Sequence, residues 1–141
     1  MTAFDPAQRD WVSRHHQAVL ITLRRDGSPQ SSNVAYHFDG SVLRISVTAD
    51  RAKTRNVQRD GRVVLHVLGD SFWQYLAVQG TGAVGAVTES PGDAAGRELL
   101  EVYQGIAGSH PDHDQYFAAM VAERRAVLTV IPSRATGMIG T

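Results

Sequence analysis

Residues 18 to 48, AVLITLRRDGSPQSSNVAYHFDGSVLRISVT, consist of three strand-like segments separated by two Asp-Gly pairs. Ala18 to Leu23 is a nearly continuous apolar run rich in β-branched residues, and Asp-Gly pairs are typical of hairpin turns. From Gln30 to Phe38 and from Val42 to Thr48, apolar and polar residues alternate, which is the period of a strand with one buried face. The stretch therefore predicts an antiparallel meander of three strands.

The rest of the chain predicts more strands and several helices. Asp5 and Pro6 can begin a short helix that presents Trp11, Val12 and His15 on one face. Glycines at positions 80, 82 and 85 favour a strand that coils sharply or lies under another backbone or a flat ligand. Further helices are predicted over 51–59, 93–106 and 112–125, and further strands over 62–68, 72–87 and 127–131.

Six mostly antiparallel strands with peripheral helices predict an α+β domain built on a small barrel. An open sheet of this size could not bury so many apolar strands on both faces without closing on itself. The 141 residues are 43% hydrophobic and contain no internal repeat, linker or low-complexity segment. We therefore expect a single domain over 1–141.

Composition excludes several classes of function. The 14 basic and 14 acidic side chains cancel, so no net charge attracts the protein to nucleic acid or to an anionic membrane. The absence of cysteine excludes disulfides, thiolate nucleophiles and cysteine-ligated metals. No apolar run approaches the ~20 residues that span a bilayer, and residues 1–14 lack a signal-peptide core. We therefore expect a soluble, cytoplasmic protein.

The common catalytic and metal-binding patterns are absent as well. His110 and His113 could form a weak surface metal site, but solvated loop histidines are the simpler interpretation. No GxSxG segment is present, and Ser31 and Ser32 lie within a predicted strand rather than on a strained turn. The Gly80-Thr81-Gly82 segment also lies within a strand and opens no helix. The sequence therefore predicts no metal and leaves the catalytic residues unknown.

A cluster of cations follows directly after a predicted strand. The segment from Arg51 to Arg59, RAKTRNVQR, begins a helix and contains Lys53, the single lysine among 14 basic residues. The N–H groups of a helix N-terminus together with nearby cations suit a phosphate. A solvated basic helix face is an equally good interpretation from composition alone. Asp50 and Asp60 partly neutralise the cluster, which favours a single phosphate over a nucleic-acid patch.

Small polar side chains in two predicted strands suit a flat heterocycle. Ser31 to Asn33 are consecutive, and the next strand along the chain carries Ser46 and Thr48. Their hydroxyl and amide groups could line a planar ring, although ordinary edge polarity would also explain them. Trp73 and Tyr75 fall on one face of a later strand, where core packing, ring stacking or a subunit contact would each explain them.

Three of these segments together resemble one known family. The strings GSPQSSNV at 27–34, RAKTRNV at 51–57 and WQY at 73–75 are similar to the pyridoxamine-phosphate-oxidase-like split β-barrel family. The similarity is closer to its actinobacterial flavin/deazaflavin oxidoreductases, which use coenzyme F420, and it extends over nearly the whole chain. The resemblance implies an FMN-binding type of split barrel with six antiparallel strands. It also implies a homodimer with a cofactor in each of two grooves between the subunits.

The same resemblance assigns residues to the cofactor site and a reaction to the protein. Arg51, Lys53 and Arg55 would bind the cofactor phosphate. The reaction implied is hydride transfer from reduced deazaflavin to an unsaturated small-molecule substrate, and the cofactor carries that chemistry. Residues along the cofactor ring would be Ser32, Asn33 and Val34, those along its edge Ser46, Val47 and Thr48, and those reaching in from the partner subunit Trp73 and Tyr75. Weak candidates for a proton donor are Tyr36, His37 and Tyr75.

Other interpretations stay open at this point. The same fold could use FMN, because both cofactors present a phosphate and a tricyclic ring. The longer anionic tail of the deazaflavin favours extra cations, which Arg55 and Arg59 could supply. Haem would need His37 or His66 as its axial ligand, and a non-catalytic F420- or flavin-binding protein would bind tightly without turnover. A nucleic-acid module is the least favoured alternative.

Overall fold

One curled antiparallel sheet of seven strands, surrounded by four helices, forms residues 3–140, which are the part of the chain that this computed structural model describes. The helices are α1 (Pro6–Ser13), α2 (Ala52–Arg59), α3 (Ala94–Ala107) and α4 (His113–Ala122). The strands are β1 (Gln17–Leu23), β2 (Pro29–Ala35), β3 (His37–Phe38), β4 (Leu43–Thr48), β5 (Arg62–Leu68), β6 (Tyr75–Val84) and β7 (Arg125–Met138). The strand order is β2–β1–β5–β6–β7–β4–β3. The predicted α+β class is confirmed, with seven strands in place of six.

None of the helices within residues 3–140 has both the length and the apolar composition needed to cross a membrane. The longest is α3, which runs for 14 residues. It packs beside α4 against the sheet, and most of its apolar side chains are used in that contact.

The segment from Gln30 to Phe38 forms two strands rather than one. β2 pairs with β1, whereas β3 pairs with β4 at the other end of the strand order. Tyr36 lies between them. Its main-chain N–H donates to the carbonyl of His16 at 2.9 Å, and its buried hydroxyl donates to the carbonyl of Val12 at 2.8 Å. These bonds turn the chain from one edge of the sheet to the other, so the expected three-strand meander is wrong.

The last strand is longer than expected and begins after a shorter helix. Arg124 adopts a left-handed φ of 53°, which ends the helical path, and β7 then runs from Arg125 to Met138. Pro132 is accommodated within β7 because it lies opposite Gly80, where the pairing with β6 shifts register. A proline cannot donate to the ladder, and an irregularity of this kind removes the need for it to do so.

Two hydrophobic clusters fill the fold. The larger one lies inside the sheet, draws on β1 and β3 to β7, and is closed at one end by Trp11 and Val12 of α1. The smaller one lies between α3, α4 and β7, and contains Leu99, Tyr116 and Met120. Burial of these apolar surfaces is the main stabilising force of the fold. The helical arm formed by α3 and α4 therefore has a core of its own.

Helix α2 is held against the sheet by polar contacts. The buried Thr54 donates its hydroxyl hydrogen to the carbonyl of Thr48 at 2.7 Å. The buried Asn56 donates its amide hydrogen to the hydroxyl of Thr22 at 3.1 Å, and Val57 packs into the larger cluster. These contacts fix the rotation of α2 about its axis. They therefore decide which of its cations face the protein and which face solvent.

Glycines of β6 lie close under other parts of the chain, as the sequence predicts. A Cβ atom at Gly80 would stand 2.4 Å from the carbonyl oxygen of Ile131, closer than any real Cβ contact. One at Gly82 would stand 3.0 Å from the side chain of Val57. The absence of side chains therefore allows β6 to pass beneath β7 and α2.

Gly80→Ala should lower the free energy of unfolding by about 1–3 kcal/mol, the usual effect of overpacking, because the backbone of β7 would have to move. Gly85→Ala is the matched control, since its Cβ would make an ordinary 3.5 Å contact with the carbonyl oxygen of Val127. Urea denaturation followed by circular dichroism measures both. Equal stability of the two variants would contradict the close approach at Gly80.

Candidate functional site

A cavity of about 590 Å³ opens where β2 and β4 approach each other across the gap in the sheet. Helix α2 borders it on one side, and the helical arm of α3 and α4 closes it on another. A volume of this size suits a cofactor or a small-molecule substrate. The lining residues are Asn33, Val34, Ala35, Ser46, Lys53, Val102, Tyr103, Ile106, Ala107, Tyr116, Met120 and Arg125.

The polar side of this cavity is cationic. Burial lowers the pKa of Lys53, and the positive charges of Arg51 and Arg125 lower it further. Arg125 donates from Nη1 to the hydroxyl of Ser46 at 3.3 Å and from Nε to Glu123 at 2.9 Å. Among the described residues, Glu123 is the one acidic group that pairs with these three cations. A bound anion would relieve their mutual repulsion.

The start of α2 adds main-chain donors to the same place. Arg51 is the N-cap residue, and its side chain makes no capping hydrogen bond. The first N–H groups of α2 are therefore left for an anion, which the helix dipole also favours. Residues of a helix turn by about 100° each, so Arg55 points about 200° away from Lys53. Arg55 is accordingly exposed on the far face of α2, while Lys53 faces the cavity.

The opposite wall is apolar and comes from the helical arm. Val102 and Ile106 of α3 face the cavity together with Met120 of α4. Tyr116 donates its hydroxyl hydrogen to the carbonyl of Leu99 at 3.0 Å, and burial raises its pKa to about 12. The wall therefore offers a dry surface on which the face of a planar molecule could lie.

Tyr103 differs from Tyr116 in that its hydroxyl is not hydrogen-bonded to any residue in 3–140. It lines the cavity, and its ring packs against His110 and Tyr116 at centroid distances of 5.1 and 5.4 Å. The hydroxyl of Tyr103 is therefore available to a ligand in the cavity.

The structure brings four of the sequence-predicted site residues together: Asn33, Val34, Ser46 and Lys53 all line the cavity. Arg125 joins them, although the sequence placed it at the end of a helix. It reaches the cavity because β7 pairs with β4 in a register that sets Arg125 opposite Thr48. The sequence does contain a signal for this position, because Arg125 is a charged residue directly before the apolar run 126–128. Tyr103 and Tyr116 were also missed.

Three other predicted residues lie beside the cavity without lining it. The hydroxyl of Ser32 accepts a hydrogen bond from the amide of Gln30 at 2.9 Å. The side chain of Val47 is buried in the larger hydrophobic cluster, so only its main chain could contact a ligand. The carbonyl of Thr48 is occupied by the hydroxyl of Thr54. These contacts leave the three residues outside the lining of the cavity.

The two predicted aromatic residues lie on a different surface. Trp73 and Tyr75 border a second cavity, of about 540 Å³, beside the loop between β5 and β6. The N–H of Gly69 donates to the carbonyl of Gln74 at 3.1 Å and closes this loop, so β6 begins later than expected. Trp73 is 74% exposed, whereas Tyr75 stacks on His66 at 5.0 Å. Within one chain, the structure does not bring these aromatic rings into the cationic cavity.

None of the suggested proton donors or haem ligands lines the cationic cavity. Tyr36 is fully buried, and burial raises its pKa well above the ordinary value of a tyrosine. His37 lies beneath α3, where a Cβ at Gly105 would stand 2.2 Å from its Nδ1 atom. His66 is stacked against Tyr75. Haem ligation by either histidine in this cavity is therefore not supported.

Comparison with known proteins identifies the family. A family model described as pyridoxamine 5'-phosphate oxidase matches residues 4–138, nearly the whole chain. The chain belongs to this family. The resemblance that the three sequence motifs indicated is thereby confirmed, and the cationic cavity lies in a region that the family match covers.

Three known proteins are similar to this chain. An F420H(2)-dependent biliverdin reductase of Mycobacterium tuberculosis (strain CDC 1551 / Oshkosh) is 33% identical over 86 residues, which cover 60% of this chain and 61% of that protein. A solved F420 reductase is 25% identical, with a TM-score of 0.71 over 94% of this chain and 98% of its own. A solved FMN-binding, pyridoxamine 5'-phosphate oxidase-related protein of Nostoc punctiforme PCC 73102 is 14% identical, with a TM-score of 0.61 over 85% of this chain and 72% of its own. The last of these shows the shared fold alone.

Lys53→Met should leave the stability of this family member unchanged or raise it by up to about 0.5 kcal/mol, since it removes one of several like charges. The lowered pKa means that charged Lys53 opposes folding at neutral pH, and this opposition fades as pH rises through the pKa of the folded state. The advantage of the variant should therefore shrink in alkaline buffer. Arg62→Met is the control, because it breaks the 2.7 Å ion pair with Asp60 and should lower the stability. Thermal melts at neutral and at alkaline pH measure these differences. A Lys53→Met variant that is clearly less stable than wild type would contradict the cationic cluster.

Proposed function

We propose that this protein is an F420-dependent oxidoreductase that transfers a hydride from reduced deazaflavin to an unsaturated small-molecule substrate. The observation that carries the proposal is the cavity between β2 and β4, which has Lys53, Arg125 and the start of α2 at its polar side and an apolar wall opposite. A phosphate bound at the polar side would leave the tricyclic ring to lie along the wall. The names of the M. tuberculosis relative and of the F420 reductase structure support this choice of cofactor.

The residues of this chain would bind and orient the cofactor, which supplies the hydride chemistry. Lys53 and Arg51 would neutralise the phosphate, and the uncapped N–H groups of α2 would donate to it. Asn33 would hydrogen-bond the polar edge of the ring, and Val34 would pack on its face. The wall of the helical arm would exclude water, which strengthens the charge interactions around the phosphate.

The deazaflavin is preferred to FMN because of the charges around α2. Arg51 and Arg55 are exposed, and neither forms an ion pair within residues 3–140. Neither residue lines the cavity, so these cations would meet only a cofactor whose longer anionic tail extends out of the cavity and over the exposed face of α2. FMN remains the alternative cofactor, and a non-catalytic F420- or flavin-binding protein remains the alternative function.

We further propose that the active form is a homodimer in which Trp73 and Tyr75 reach the cavity of the partner. Trp73 is largely exposed on a loop closed by its own hydrogen bonds, so it is presented at little cost in entropy. A cavity of about 350 Å³ bounded by Asn33, Val34, Ala35 and Leu68 lies between the cationic cavity and the aromatic loop. A second chain that docked at this smaller cavity could contact both the cationic cavity and the aromatic loop.

The first experiment is titration of the purified protein with F420 and with FMN, followed by cofactor fluorescence polarisation. Micromolar or tighter F420 binding with much weaker FMN binding is expected. Preference for FMN would change the assignment to an FMN-dependent oxidoreductase, and binding of neither would contradict the proposal. Biliverdin, the substrate named for the M. tuberculosis relative, is the first acceptor to test with reduced F420. Tight binding without turnover of any conjugated acceptor would indicate a carrier.

Lys53→Met should weaken F420 binding by about 1.5–3 kcal/mol, the contribution of a charged hydrogen bond. This corresponds to roughly a 10- to 150-fold rise in the dissociation constant. Arg14→Met is the matched control, because it removes an exposed cation that pairs with Asp10 on α1. An unchanged F420 affinity in Lys53→Met would refute the role of this residue in binding the phosphate.

A mixed dimer tests whether the site is shared between subunits. Lys53→Met and Trp73→Ala should each impair cofactor binding, and a dimer that combines one chain of each should regain one intact site. The two chains are co-expressed with different tags, and the mixed dimer is purified and titrated with F420. Phe72→Ala, in the same exposed loop, is the control that should bind normally. If Lys53 and Trp73 served the same subunit's site, the mixed dimer would contain no intact site and would bind as weakly as the single variants.

A further inference from the structure

Two buried side-chain nitrogens lack a hydrogen-bond partner within residues 3–140: Nδ1 of His37 and Nε of Arg44. The two residues are direct partners across the β3–β4 ladder. A buried polar atom without a partner costs about 1–3 kcal/mol, so such an atom needs an explanation. Here both atoms belong to groups that carry or can acquire a positive charge.

Helix α3 covers both groups. Gly105 lies directly on the imidazole, since a Cβ there would stand 2.2–2.4 Å from three atoms of the His37 ring. One and two turns earlier, Glu101 and Glu98 pair with Arg44 at 3.2 and 3.3 Å. The helix is therefore attached to the sheet by these ion pairs and by close contact with a neutral ring.

The same part of α3 forms the wall of the cationic cavity. Val102, Tyr103, Ile106 and Ala107 line that cavity and flank Gly105 within about one turn of the helix. Any movement of α3 away from His37 would move these side chains with it. The contact between the imidazole and α3 therefore affects the shape of the candidate site.

The surroundings of His37, taken together, oppose its protonation. Burial lowers its pKa most, and the charge of Arg44 on β4 lowers it further, with a smaller effect from His16 ahead of β1. Asp39 in the turn after β3 and Glu101 on α3 act in the opposite direction. Arg44 keeps its charge at every physiological pH, so protonation of His37 would place two cations side by side beneath a helix.

We propose that His37 is a positioning residue that makes the cavity sensitive to acid: the neutral imidazole lets α3 lie against the sheet, and the imidazolium displaces α3 and the cavity wall. The consequence for ligand binding rests on the proposed function, whereas the movement of α3 does not. The pKa of His37 is lower in the folded than in the unfolded protein, so its contribution to stability is complete above about pH 6.5 and is lost as pH falls below that value.

Amide hydrogen exchange of α3 in the wild type and in His37→Gln tests the movement. Glutamine is polar and uncharged, so it cannot take up the proton. Between about pH 7 and about pH 5.5, wild-type α3 should lose up to about tenfold in protection per pH unit after correction for intrinsic rates. His37→Gln should lose markedly less, and the amides of α1 serve as the internal control in both proteins. Equal losses in the two proteins, or unchanged protection of α3 in the wild type, would overturn the proposal.

A second pair of variants keeps the test valid if His37→Gln folds poorly. Gly105→Ala should displace α3 already at neutral pH, because its Cβ would overlap the imidazole. Adding His37→Ser to Gly105→Ala should restore protection of α3 and remove its acid sensitivity, since the smaller side chain leaves room for the Cβ. Failure of the double variant to recover would also count against the proposal.

F420 titrations at the same two pH values connect the movement with the site. The wild type should bind F420 more weakly in acid, and His37→Gln should show a smaller loss. If the wild type binds neither F420 nor FMN at neutral pH, the proposed function fails while the exchange result still decides the role of His37. If F420 binds but its affinity falls equally in both proteins, the link between His37 and the cavity is refuted.

Discussion

The hydrogen bonds of Tyr36 determine where the sheet stays open. Its hydroxyl and N–H bind carbonyls near the end of α1 and just before β1, and these bonds separate one alternating segment into β2 and β3. β2 and β3 consequently occupy the two ends of the strand order. The gap that this leaves between β2 and β4 is the position of the cationic cavity. The site therefore depends on a buried tyrosine that does not line the cavity.

Around that gap, the structure keeps like charges near one another in a partly buried place. Burial lowers the pKa of Lys53 most, and the charges of Arg51 and Arg125 lower it further, so the charge of Lys53 opposes folding in this place. Natural sequences retain local conflicts of this kind mainly where function requires them. The polar anchors of α2, Thr54 and Asn56, hold Lys53 in this position although its charge would favour moving outwards.

The sequence was sufficient to predict the parts of the site that depend on local order. Lys53 could be found because a helix that begins directly after a strand places its first turn at the strand's end. The run of small polar residues from Ser31 to Asn33 identified Asn33, and the alternation of β4 identified Ser46. The alternation of β4 already implied that Val47 faces the core, opposite to Ser46. Arg125 and Tyr103 could not be found in this way, because their positions depend on the β4–β7 register and on the packing of the helical arm. The break at Tyr36 was also invisible, since Val34, Tyr36 and Phe38 keep the same alternation across it.

The separate core of the helical arm has an evolutionary consequence. Half of the cavity's lining residues belong to α3 and α4, whose apolar contacts are mostly with each other and with β7 rather than with the interior of the barrel. Substitutions in two clusters that share few contacts act nearly independently on stability. Mutations could therefore reshape the wall, and with it the range of molecules accepted, while the barrel and the cationic end stay intact. A fold divided in this way allows one cofactor-binding framework to acquire new substrates through changes in a single pair of helices.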